Sequence, residues 1–205
     1  DGFVECVGSG ASGQLGNGSN SNIATPTRVL KSATAGDYLS GVISIIAAPQ
    51  GTDTAGAYCA ITNVAEMWCW GAQNGYNLFS DSVTTPITTA IQPLGSMKVA
   101  EIALASMNMC VLSQGASGAL GGAVYCWGYN SSGMYNFGSS SANPLTLGNR
   151  YLTIPSGASQ LSGGNASACV IINGGVTCWG GRGNNIPDSG GTGKATPFAS
   201  TTLAN

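Results

Sequence analysis

The chain has 205 residues and no histidine. Histidine is the usual general base, the physiological pH switch and the commonest metal ligand, so the most frequent forms of acid–base and metal chemistry are excluded. Charge is almost as scarce. Asp, Glu, Lys and Arg together make up 7% of the residues, where a globular chain averages about 25%. The six basic residues are scattered and the net charge is −2. No basic stripe exists to track a phosphate backbone, so nucleic acid is not an expected partner. Long apolar runs are missing too. The longest, Val42 to Ala48 with one serine, is too short to span a bilayer, and direct membrane insertion is not expected. No leader pattern opens the chain, which reads as a mature protein or a piece cut from a longer one. The acidic residues Asp1, Glu5, Asp37, Asp53, Glu66, Asp81, Glu101 and Asp188 form no close pair in sequence. A nucleophile elbow and a P-loop are also absent. The expectation is therefore no enzyme, no cofactor and no metal.

What is abundant is glycine, 32 residues, set in a chain that is 43% apolar. Together with plentiful Ser, Thr and Asn this reads as an all-β protein with long polar loops, not as a disordered chain. The opening CVGSGASGQLGNGSNS contains Gly8-x-Gly10-x-x-Gly13, the spacing of a dinucleotide-binding turn. That turn needs a helix after it, whose N-terminal amides hold the pyrophosphate. Here QLGNGSNSNIATPT follows, with no helical recurrence of apolar residues, and the acidic residue expected about 20 positions on is missing. These glycines are turn residues.

Their context recurs. Cys6-Val7-Gly8 precedes Pro26, Cys69-Trp70-Gly71 precedes Pro86, Cys126-Trp127-Gly128 precedes Pro144, and Cys178-Trp179-Gly180 precedes Pro197. The cysteines step by 63, 57 and 52 residues, the mark of a repeat architecture. Six of the seven cysteines bracket an apolar run, a turn and a second run: Cys59 and Cys69, Cys110 and Cys126, Cys169 and Cys178. Each bracket reads as a β-hairpin, and Asn173-Gly174-Gly175 is a strong tight-turn signal. Residues opposite one another on antiparallel strands lie within disulfide reach. Repeat logic therefore pairs Cys59 with Cys69, Cys110 with Cys126 and Cys169 with Cys178. Zinc sites favour CxxC spacing or histidine, and neither occurs. Stable disulfides place the protein in an oxidising compartment, at the cell surface or outside the cell. Cys6 is left over, with three readings open: a partner upstream of Asp1, a partner on another chain, or a free buried thiol.

Upstream of each complete hairpin lies another short apolar segment, Val42-x-x-Ile45, Val99-x-x-Ile102 and Ala158-x-x-Leu161. One unit is then a short strand, a strand with the first Cys, a strand ending Cys-Trp-Gly, a long polar loop, a proline and a last strand. Several short strands per unit describe a propeller blade. The expectation is one domain over 1–205, a β-propeller-like array of about four units near 1–41, 42–98, 99–157 and 158–205, stapled by hairpin disulfides, the first unit incomplete. Residues 98–112 (KVAEIALASMNMCVL) have helical propensity, but register with the other units makes them two strands.

The opening unit resembles the repeat of the regulator of chromosome condensation family, in which a strand ends in Trp-Gly, continues through Asn-x-x-Gly-Gln-Leu-Gly and closes with Pro-x-x-Val. Gly8, Gly13, Gln14, Leu15, Gly16, Pro26 and Val29 match it. The later units are degenerate copies. The resemblance implies a β-propeller, usually of seven blades. The family's histidine before its first conserved strand position is absent, those positions being Tyr58, Met109 and Ala168. The nucleotide-exchange role of the nuclear members therefore does not carry over. Paired cysteines in each blade look like a secreted bacterial branch, whose members are often surface-associated or fused to fibre stalks.

Trp70, Trp127 and Trp179 repeat in every complete unit and read as packing between blades before sugar platforms. The loops after them vary and carry the candidate ligand-binding residues: Gln73, Asn74 and Tyr76, then Tyr129, Asn130 and Tyr135, then Arg182, Asn184 and Asn185. Loops on a rigid scaffold concentrate binding residues, and Tyr with Asn supplies planar area and adaptable hydrogen bonds. Asn and Gly also simply suit turns. The functional expectation is an extracellular recognition module, an adhesin or fibre-tip domain binding a glycan or cell-surface protein. The alternative is a structural subunit of an extracellular filament, with a homo-oligomer or fibre as its assembly.

Overall fold

The computed structural model describes residues 1–48, 56–73, 78–83, 85–104, 108–115, 121–128, 147, 151–163, 167–180 and 194–199. Among them there are strands and turns and no helix. The chain divides into two compact units, Asp1–Lys98 and Val99–Asn205.

The first unit begins with β1 (Glu5–Gly8) and β2 (Ile23–Arg28), which pair antiparallel as a two-stranded sheet. Next comes a four-stranded antiparallel meander, β3 (Val42–Ala47), β4 (Ala57–Thr62), β5 (Met67–Gly71) and β6 (Ile87–Ile91). The two sheets are joined by main-chain bonds. Gly18 N–H donates to the Thr88 carbonyl at 2.8 Å and Ala90 N–H to the Leu30 carbonyl at 2.7 Å. The core between them contains Leu15, Val29, Leu39, Trp70, Leu78 and Phe79, all buried.

The second unit is one seven-stranded sheet. In spatial order it runs β13 (Lys194–Ala199), β12 (Gly175–Gly180), β11 (Ser167–Ile172), β10 (Tyr151–Gly163), β9 (Gly122–Gly128), β8 (Asn108–Ser113) and β7 (Val99–Leu104). The segment 98–112 is strand on both sides, as repeat register requires. Strand β10 serves two meanders. Its first half pairs with β9, Tyr151 opposite Cys126, and its second with β11, Ser162 opposite Cys169, with register shifts between. The sequence reading ends one unit at 157 and opens the next strand at Ala158, which implies two separate strands; Pro155 and Gly157 stand at that boundary. The backbone instead carries on through irregularities, where a strand tolerates a missing donor.

The hairpins form as their sequences dictate. Asn173 and Gly174 both take positive φ, 51° and 80°, the two-residue turn whose twist matches flanking strands. It sets Ile172 opposite Gly175 and hence Cys169 opposite Cys178. All three expected disulfides are present, Cys59–Cys69, Cys110–Cys126 and Cys169–Cys178, each with Cα atoms 4.1 Å apart. That is the closer of the two spacings across an antiparallel pair.

Candidate functional site

Each complete unit builds the root of a loop in the same way. The second hairpin strand ends in Cys-Trp-Gly. Its cysteine is bridged, and its tryptophan is buried, with Trp70 and Trp127 at 0% and Trp179 at 1% exposure. The glycine takes positive φ, 99° at Gly71, 106° at Gly128 and 98° at Gly180, and turns the chain out of the sheet. A side chain at Gly71 would also collide with the Gly56 carbonyl oxygen at 2.3 Å. These tryptophans are interior packing. Trp70 stacks on Tyr58 with centroids 5.9 Å apart, and its indole N–H donates to the Gln14 carbonyl at 3.1 Å.

The loop after Gly71 is described in part. Gln73 is 2% exposed. Its carboxamide oxygen accepts from the N–H groups of Phe79 at 3.1 Å and Ser80 at 2.9 Å, and its NH2 donates to the carbonyls of Val83 and Thr85. The side chain ties the two arms of its own loop together instead of facing solvent. Beneath it Leu78 and Phe79 are buried. Leu15 in the opening unit is buried likewise, and both leucines stand seven residues past the glycine that starts the loop. This anchor is a signal in the sequence that a search for polar binding residues passes over. Asn74, Tyr76, Tyr129, Asn130, Tyr135, Arg182, Asn184 and Asn185 lie outside the described residues.

Four of the described carboxylates are engaged in the scaffold. Glu5 pairs with Arg28, whose guanidinium lies over the rings of Phe3 and Tyr38. Glu66 pairs with Lys98 and accepts from the Trp68 indole. Glu101 accepts from the Leu161 N–H, linking the outer strand β7 to β10. Asp37 accepts from Ser32 Oγ at 2.8 Å and lies 3.4 Å from Lys31 Nζ. Among the described residues no cluster of three or more Cys, Asp or Glu could hold a metal ion. Cys6 is the free thiol and is half-buried. Burial pushes its pKa up. No described helix is long and apolar enough to cross a membrane.

No protein-family model matches the chain, and no curated protein matches it by sequence. Solved structures do match it. Human WBSCR16 superposes with a TM-score of 0.61 at 23% identity, over 98% of this chain and 48% of that one. Yeast RCC1 (Prp20), solved with Kap60 bound, superposes with a TM-score of 0.61 at 15% identity, over 100% of this chain and 45% of that one. The fold is thus an all-β, RCC1-like propeller-type array, with its sheets open at their edges. The chain spans less than half the length of either structure. At these identities the likeness is one of fold, and fold leaves activity open.

Proposed function

We propose that the chain is part of an extracellular, non-enzymatic recognition module. It binds a protein or glycan on a cell surface through the polar loops that follow each Cys-Trp-Gly. The observation that carries this reading is the threefold loop root: a disulfide, a buried tryptophan and a positive-φ glycine fix where each loop leaves the sheet. A rigid frame presenting variable loops is how binding surfaces are commonly built, because the frame bears the ordering cost in advance. Three disulfides support an oxidising compartment. The absence of histidine from the sequence supports a binding role over acid–base catalysis. Yeast RCC1 holds a protein partner in its solved structure, which supports protein as one ligand class.

The test is to apply the disulfide-intact chain to a glycan array and to intact cells, beside a variant with Tyr129→Ser, Asn130→Ala and Tyr135→Ser. Saturable binding that weakens about tenfold in the variant, roughly 1.4 kcal/mol, with an unchanged melting temperature, supports the reading. Absence of saturable binding, or binding indifferent to changes in all three loops, sinks it.

A second reading, a subunit of an extracellular filament, is favoured by one observation. Ile43 and Ile45 on β3, an edge strand among the described residues, are 70% and 52% exposed. Open edges are pairing surfaces. Concentration-dependent assembly in light scattering would support it, and a monomer at every concentration would remove it.

A further inference from the structure

The strand that opens each complete unit carries the same irregularity. On β3 the pairing with β4 steps from Val42 opposite Thr62 to Ser44 opposite Ile61. On β7 the pairing with β8 steps from Val99 opposite Ser113 to Glu101 opposite Leu112, and on β10 the pairing with β11 steps from Ala158 opposite Ile172 to Gln160 opposite Ile171. Each time two residues advance against one, which is a β-bulge, and a bulge re-aims the side chain beside it. The residues just past the bulge are Ser44, Glu101 and Gln160, polar in all three units.

Two of the three meet in the second unit. Glu101 accepts a hydrogen bond from the Leu161 N–H, so β7 lies against the second half of β10. The approach is close: a Cβ on Gly163 would stand 2.8 Å from the Ala103 Cβ. Beside this contact is a cleft of about 290 Å³. Its polar side chains are Glu101, Gln160 and Ser162, and Leu161, Ile171 and Val176 give it an aliphatic wall. Gln160 and Ser162 are exposed, and as alternate residues they share one face of β10. Glu101 Oε2 is held by the Leu161 N–H, while Oε1 has no partner among the described residues. The described lysine and arginine side chains pair elsewhere, Arg28 with Glu5, Lys31 with Asp37 and Lys98 with Glu66. Glu101 therefore has no counter-ion among the described residues.

We propose that this cleft is a binding site for one lysine side chain of a protein partner, with its ammonium at Glu101 Oε1 and its methylene stem along Leu161, Ile171 and Val176. A carboxylate fixed at one oxygen by a main-chain bond is already oriented, so the ligand meets little ordering cost. The single remaining oxygen suits a compact point charge. A guanidinium is held best by both carboxylate oxygens at once, and here one is taken. An ammonium donates in several directions, and the Gln160 carboxamide oxygen and the Ser162 hydroxyl line the same cleft as further acceptors. The aliphatic wall covers the stem, as long cationic side chains bury their methylenes and keep the head near water. The exposed Gln160 and Ser162 open the cleft to the surface, where a side chain projecting from a folded partner can enter. A neutral sugar brings no charge to meet Glu101 and finds no ring to stack on, since none of the described lining residues is aromatic. The cleft shares no residue with the loops that follow Cys-Trp-Gly, so it stands or falls apart from them.

The test is an NMR titration of the isotope-labelled, disulfide-intact chain with Nα-acetyl-lysine N-methylamide, beside the same amides of arginine and norleucine. Glu101→Gln keeps an oxygen for the Leu161 N–H and removes the charge, and its melting temperature checks the fold. The expected result is saturable shifts at the amides of Glu101, Gln160, Leu161 and Ser162 with the lysine probe. Its affinity should fall about tenfold in Glu101→Gln, the loss of one charge-assisted hydrogen bond. The arginine probe should bind several-fold more weakly, and the norleucine probe should produce no saturable shift. Equal shifts from norleucine would assign the cleft to apolar contact alone, and equal affinity for arginine would remove the preference for a point charge; either overturns the proposal. So does lysine binding unchanged in Glu101→Gln, or no saturable shift up to the solubility of the probe. Where Glu101→Gln does not fold, the double variant Gln160→Ala, Ser162→Ala replaces it: a several-fold loss of lysine affinity supports the site, and full retention overturns it.

Discussion

The indole N–H of Trp70 donates to the main-chain carbonyl of Gln14, 3.1 Å away and 56 residues earlier in the chain. The bond runs from a blade strand to the glycine-rich loop of the preceding unit. It is the direct link between the repeated tryptophan and the Gly-Gln-Leu-Gly segment. Trp70→Phe keeps most of the ring and removes the donor, leaving a buried carbonyl without that partner. The expected loss is about 1–3 kcal/mol. Trp70→Ala also opens a cavity and should lose about 3–5 kcal/mol. Urea midpoints at constant slope measure both, and a Trp70→Phe protein as stable as the parent would show that the bond contributes nothing.

The disulfides close loops of different length. Sequence separations are 10 for Cys59–Cys69, 16 for Cys110–Cys126 and 9 for Cys169–Cys178. Replacing either short pair by alanine should cost about 2–3 kcal/mol, and chain entropy makes the 16-residue bridge about 0.5 kcal/mol more valuable than the 9-residue one. Thermal melts of the three double variants would test the ranking. Reduction of the parent should lower its melting temperature by more than any single pair does.

The hairpins and their disulfides were legible in the sequence because a strand fixes its partner by simple alternation. Once Asn173-Gly174 is a two-residue turn, Cys169 must face Cys178. The continuity of β10 was not legible, because Pro155 and Gly157 normally end a strand, and only pairing to β9 and β11 from opposite sides carries the backbone through. Gln73 misleads for a related reason. A glutamine among Gly, Asn and Ser looks solvated, and its burial depends on where Phe79 and Ser80 return. Leu78 could have been found from its spacing to Gly71, which repeats that of Leu15 to Gly8. The loops of 129–135 and 182–185 lie outside the described residues.

Gln73 offers a sharp local test. Its amide both accepts from Phe79 and Ser80 and donates to Val83 and Thr85. Gln73→Glu keeps the shape but cannot donate, and sets a carboxylate against two carbonyls. The loop should loosen at a cost of roughly 1–3 kcal/mol. Hydrogen exchange should then quicken at residues 78–83 and stay unchanged in β3 and β4. Undiminished protection across 78–83 would show that Leu78 and Phe79 hold the loop without the amide.

Asp37 gives the fold a small acid dependence. The Ser32 hydroxyl donates to its carboxylate, and Lys31 adds a hydrogen bond and its charge, which together lower the pKa despite some opposing desolvation. A carboxylate whose folded pKa lies below its unfolded value stabilises the fold above the unfolded pKa, about 3.9 for Asp. That contribution fades as pH falls through the folded pKa. The group is exposed to solvent, so salt should weaken the effect. Melting temperatures measured from neutral pH down through the carboxylate range should fall less steeply for Asp37→Asn than for the parent. Ser32→Ala should move the Asp37 titration upward, because it removes the largest stabilising contact of the charged form. An acid limb identical in parent and Asp37→Asn would assign the acid sensitivity to other carboxylates.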